Sequence, residues 1–127
     1  MTMAANRTRQ KGIFTAELMV GMALLGVALA GLAVSIQGIS LFNRYQWTRQ
    51  RCTAAAEAQL DSLAATGRLI DETEIKRLWS DVAVAIERTP GAGPWESLEL
   101  LRVTATGKAG PHGVRVRLER YVKKGDR

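Results

Sequence analysis

The chain has 127 residues, 46% hydrophobic and 24% charged, which is enough for one packed core and too few for a two-domain enzyme. Its net charge of +6 comes from 18 basic and 12 acidic residues. Arg7, Arg9 and Lys11 supply three of those six charges ahead of Gly12, so much of the excess belongs to a basic leader and not to a nucleic-acid-binding face. Cys52 is the only cysteine and His112 the only histidine; an intrachain disulfide and a Cys/His metal site are excluded, and no cofactor is expected.

Leu18 to Asn43 is a run of 26 residues without a charge. About 20 apolar residues at 1.5 Å rise cross a bilayer core of about 30 Å. Leu18, Met19, Val20, Met22, Leu24, Leu25, Val27, Leu29, Leu32 and Val34 place apolar side chains around the whole helix circumference, unlike an amphipathic surface helix. Ser35, Gln37, Ser40 and Asn43 then mark the exit from lipid. A basic start, this apolar run and Ala28-Leu29-Ala30 before Gly31 also fit a cleaved secretory signal. Against that stands Glu17 at the mouth of the run, where a carboxylate is costly and therefore a candidate functional group in need of a partner.

The stretch Lys11-Gly12-Ile13-Phe14-Thr15-Ala16-Glu17-Leu18-Met19-Val20 resembles the N-terminal cleavage and methylation signal of type IV prepilins and type II secretion pseudopilins. That signal joins a basic leader ending in Gly to an apolar residue, a Phe-Thr-like pair, a Glu five positions after the Gly, and about 20 apolar residues. Ile13 stands where Phe is commonest and Ala16 replaces a larger aliphatic residue. The apolar run holds no Pro, which favours a minor pilin or pseudopilin over a major fibre subunit.

The resemblance implies cleavage between Gly12 and Ile13 by prepilin peptidase, loss of the Arg7, Arg9 and Lys11 charges, and N-methylation of Ile13. It also implies that Glu17 is an assembly residue, pairing with the N-terminal amine of a neighbouring subunit. Two charges that are each expensive in an apolar medium become tolerable together. The implied partners are other pilin or pseudopilin subunits in a helical filament and an inner-membrane assembly platform. The implied location is a bacterial inner membrane, crossed once, with the N-terminus cytoplasmic and the C-terminal domain periplasmic, followed by extraction into a filament. Small-residue pairs, Gly26 with Ala30 and Gly31 with Ser35, fit helix packing in lipid but recur in any such segment.

Beyond Asn43 no Pro or Gly occurs until Gly67, and the composition is strongly helix-forming. One helix is expected from Phe14 to Ala65, with Gly67 ending it. Phe42, Tyr45, Cys52, Ala56, Leu60 and Leu63 share one stripe. Arg49 lies on it as well, which puts the start of packing after that residue. Cys52 reads as a small core residue. Asp71 caps a short helix reaching Trp79, with Glu74 at the capping-box position, Ile70 and Ile75 at the staple positions, and Glu72 and Lys76 spaced for an ion pair.

Val82, Val84 and Ile86, and later Val114, Val116 and Leu118, alternate with other residues as half-buried strands do. A third strand is expected over Leu98 to Ala105, with turns at 90–94 and 107–113. The predicted class is α+β: a long N-terminal helix, transmembrane then amphipathic, packed on a three-stranded antiparallel meander as in pilin-like subunits. The segments are a leader (1–12), a transmembrane half (13–38), an amphipathic half (39–66), and a short helix plus sheet (67–127).

Arg115, Arg117, Arg120, Lys123 and Lys124 form a basic strand and tail, but alternation already puts the first two on a solvent face. Trp47, Trp79 and Trp95 lie in different elements, and neither Glu57 with Asp61 nor Asp71, Glu72 and Glu74 has an accompanying nucleophile or histidine. His112 falls in a Gly/Pro turn and is expected to be exposed. The expectation is a non-enzymatic structural subunit of a type II secretion pseudopilus or type IV pilus-like filament, with nucleic acid an unlikely partner. Two alternatives stay open: a DNA-uptake pilus subunit using the basic last strand, and a single-pass anchored or secreted protein.

Overall fold

The computed structural model describes residues 2–125, with side chains from Gly12 onward. Its elements are α1 (Thr2–Thr66), α2 (Glu72–Leu78), β1 (Val82–Pro90), a single 3-10 turn (Gly93–Trp95), β2 (Leu98–Ala109) and β3 (His112–Lys123). The chain is α+β, one long helix and a three-stranded antiparallel sheet. It divides into two compact units, one up to Ser40 and one from Leu41.

The described residues of the first unit are all helical, and none of their described side chains is buried. Leu24, Val27 and Met22 are about two-thirds exposed, a continuous apolar surface that needs lipid or protein around it. Ser35 Oγ donates back to the Gly31 carbonyl at 2.9 Å, which satisfies it inside the helix.

In the second unit α1 packs on the sheet. Its buried positions are Thr48, Cys52, Ala55, Ala56, Gln59 and Leu60, recurring at the three- and four-residue spacing of one face. The expected stripe is corrected at its start: Phe42 is 60% exposed and Tyr45 38% exposed, whereas Thr48 is only 6% exposed. Packing therefore begins one residue before Arg49, which is itself exposed. The reason is close approach. A Cβ on Gly107 of β2 would stand 2.8 Å from Thr48 Cγ2 and 3.1 Å from Cys52 Sγ, so small side chains meet a bare backbone and no large residue fits. Gly67 ends the helix with φ +70° and donates its N–H to Leu63 O at 2.9 Å, a left-handed cap that favours glycine.

The sheet order is β1-β2-β3. On the face toward α1 the rows are Val84–Ala105–Val116 and Ile86–Val103–Leu118. Leu101, Val103 and Ala105 of the central strand are fully buried against Cys52, Ala55, Ala56 and Leu60. The opposite face carries Ala85–Thr104–Arg117 and Glu87–Arg102–Glu119. Alternation, and the apolar set within each strand, are as the sequence predicts, but the strand ends are not. The turn expected over 107–113 shrinks to Gly110-Pro111, because pairing continues to Ala109↔His112. Gly110 with φ +61° followed by Pro suits a two-residue hairpin turn of the II′ kind.

Asp71 caps α2, accepting from Glu72 N at 2.9 Å and from Thr73 Oγ1 at 2.6 Å. The capping box is not completed: Glu74 turns to Arg77 at 2.7 Å, since a cation one turn on competes for its carboxylate. Glu72 and Lys76 pair at 2.8 Å, and that bond holds the Lys76 amine above its ordinary pKa. Trp79 is the C-cap residue, one beyond the last helical position.

Candidate functional site

The residues singled out near the N-terminus lie on uninterrupted helix. Gly12, Ile13 and Glu17 all belong to α1, and Ile13 and Phe14 are 64% and 73% exposed. The side chains of Arg7, Arg9 and Lys11 lie outside the described residues. Glu17 makes no hydrogen bond or ion pair among the described residues. It borders an open hollow of about 330 Å³ whose other walls are Phe14, Leu18, Gly21, Met22 and Leu25. No neighbour lies within 4 Å of where a Cβ on Gly21 would be. The chain's own packing gives no reason for a residue that costs about 1 kcal/mol in a helix relative to Ala. An acid beside an apolar recess can receive a cation presented on an apolar stem.

The remaining candidates separate from one another. Cys52 is fully buried, and burial, reinforced by Asp81 and opposed by Arg51, pushes its thiol pKa up, which makes it a poor nucleophile. The basic residues of β3 do not form one patch. Arg115 and Arg117 are on the outer face, whereas Arg120 reaches Asp61 of α1 at 3.2 Å. Arg102 bridges Glu119 at 2.6 Å and Glu87 at 3.2 Å, bonds that hold its pKa above the ordinary value. Trp79 packs against the core, Trp95 stacks on Tyr121 with ring centroids 6.0 Å apart, and Trp47 is 63% exposed. His112 is exposed. No group of three or more metal-ligating side chains occurs among the described residues.

Sequence reasoning missed two residues that fix the second unit. Gln59, 2% exposed, pairs with the main chain of Ile70 through both ends of its amide: Nε2 donates to Ile70 O at 3.1 Å, and Oε1 accepts from Ile70 N at 2.9 Å. Asp81, just before β1, holds Arg51 of α1 at 2.7 Å. Both are polar residues on a buried or flanking face, and apolar periodicity does not register them. The spacing of Gln59 to Cys52 and Ala55 was the available signal.

The chain matches no protein-family model, no curated protein and no solved structure. Among the described residues one N-terminal helix is long and apolar enough to span a membrane.

Proposed function

We propose that this chain is a minor pilin or pseudopilin, a structural subunit made as a membrane precursor and built into an envelope filament of the type II secretion or type IV pilus kind. The observation that carries the reading is Glu17. It is a carboxylate with no partner among the described residues, five positions after Gly12, at the start of an apolar helix surface that is exposed all round. Leaving such an acid alone in lipid costs up to a few kcal/mol. A cationic amine from a neighbouring subunit removes that penalty and sets the register between helices. Prepilin peptidase would cut between Gly12 and Ile13, freeing the Ile13 amine for methylation and discarding the leader charges that hold the precursor's N-terminus in the cytoplasm. The glycines without internal contacts, Gly21 and Gly26 among them, support close helix packing with other chains. The sheet unit would then lie on the periplasmic side.

Mass spectrometry of the mature chain and an assembly assay test this together. The expected mature chain begins at N-methylated Ile13, and Glu17→Ala is expected to be processed and membrane-inserted normally yet fail to enter filaments. A mature start at Gly31, or Glu17→Ala filaments at the wild-type rate, would overturn the proposal. The DNA-uptake alternative loses one of its basic residues at β3, where Arg120 is engaged by Asp61.

A further inference from the structure

Within the second unit, two contacts fix how the helix and the β2–β3 hairpin are matched. Arg120 of β3, which pairs with Leu101 across the ladder, reaches Asp61 at 3.2 Å. Thr48 lies against Gly107, and its hydroxyl donates to the Lys108 carbonyl at 3.5 Å. Going back along α1 from Asp61 to Thr48, about 20 Å, therefore matches going forward along β2 from Leu101 to Lys108, about 23 Å. β2 runs antiparallel to the helix. Its turn, Gly110-Pro111, points toward the end of the unit where α1 enters at Leu41. The turn lies about 7 Å past Lys108, and Arg44 about 6 Å before Thr48, so the two reach a similar level.

Cations without partners collect at that end. Arg44 and Arg49 stand on α1, and Lys108 and Arg115 on the hairpin, where Arg115 pairs with Thr106, two residues before Lys108. All four are exposed, and none has an ion pair among the described residues. Asp81, brought to the same end because Val82 pairs with Gly107, is already held by Arg51 at 2.7 Å. From Leu18 to Ala56 the sequence contains no Asp or Glu. Leu41, Phe42 and Trp47 are exposed beside the two arginines.

The uncharged run closes at Asn43, one residue ahead of Arg44. A bilayer adds about 5–8 Å of headgroup layer on each side of its hydrocarbon, and the helix from Arg44 to Arg49 rises through about that depth. Aromatic rings and long basic side chains are favoured there, with the ring or stem toward hydrocarbon and the charge toward phosphate.

We propose that this end of the second unit is a binding surface for anionic phospholipid headgroups. Arg44 and Arg49 hold the phosphates from the helix, Lys108 and Arg115 hold them from the hairpin, and Phe42 and Trp47 meet the upper acyl chains. A zwitterionic headgroup brings its own cation and gains little from four more. The inference rests on the reading that the uncharged run spans a bilayer and is independent of the filament reading.

The test is native mass spectrometry of the full chain released from detergent micelles containing equal amounts of phosphatidylglycerol and phosphatidylcholine. Preferential retention of phosphatidylglycerol is expected. Each cation near a charged lipid surface is worth about a fivefold preference, so Arg44→Gln with Arg49→Gln, and separately Lys108→Gln with Arg115→Gln, should each lower the preference at least fivefold. All four side chains are exposed, so the fold is kept. The leader cations contribute equally to every variant. Lys123→Gln with Lys124→Gln, which removes the same charge from the other end of β3, is expected to change nothing. Equal effects of the near and far pairs, or no preference for phosphatidylglycerol, would overturn the proposal. So would displacement of the lipid by inorganic phosphate, or tighter retention of a short DNA duplex. Removal of the chain from vesicles of the same two lipids by a carbonate wash would overturn the spanning reading and this proposal with it; a chain that stays inserted yet shows no lipid preference overturns the proposal alone.

Discussion

The two halves of α1 share a backbone conformation and almost nothing else. Before Ser40 the helix is covered with Leu, Val and Met, all exposed; beyond Arg44 it buries a face made of Thr48, Cys52, Ala55, Ala56 and Gln59. The large apolar residues are outside in one half, whereas in the other the inside is made mostly of small or polar ones, with Leu60 the large exception. Burial in this chain is therefore decided by the partner surface and not by side-chain hydrophobicity alone. Lipid accepts any bulky hydrocarbon, whereas a sheet with a glycine at the contact accepts only what fits.

That contrast is broken most severely in the first half. Leu25→Arg with Leu29→Arg adds about 2.5–3.5 kcal/mol of insertion cost per substitution, and the protein is expected to move from the membrane pellet to the soluble fraction after carbonate extraction. In the second half Gln59→Ala removes the partner of the half-buried N–H and C=O of Ile70, and about 1–2 kcal/mol of stability should be lost in urea titration of the full chain. Gly107→Ala should cost about 1–2 kcal/mol by overpacking. Thr48→Ser, which removes the Cγ2 methyl and keeps the hydroxyl, should recover part of it, and a double-mutant cycle reads that coupling. The smallest effect concerns Cys52. Its folded-state pKa is raised, so its contribution to stability is complete below the ordinary thiol pKa and fades as pH climbs from there through the folded value. Alkylation at mildly alkaline pH is expected to be slow until denaturant is added.

The uncharged run, the glycine at position 67 and the alternation of the strands were legible because each is a strong local signal: length, a required left-handed φ, and period two. Glu17 stood out as a candidate for a related reason, as the single acid at the mouth of a hydrocarbon stretch. Thr48 and Gln59 were not, since a periodicity search weighs residues by apolarity and both are buried for their fit and hydrogen bonds. The extent of the β2–β3 ladder was hidden by the glycines and proline between 107 and 113, which suggest a longer break than Gly110-Pro111 requires.

The order in which this sheet and its helix come together follows from chain distance. Each strand pairs with its immediate successor, and β2 and β3 are joined by two residues, whereas the contact from Thr48 to the Lys108 carbonyl spans 60 positions. Nearby segments meet at smaller entropic cost than remote ones. The hairpin should close early, and docking of the helix face should be the late step that sets the folding rate.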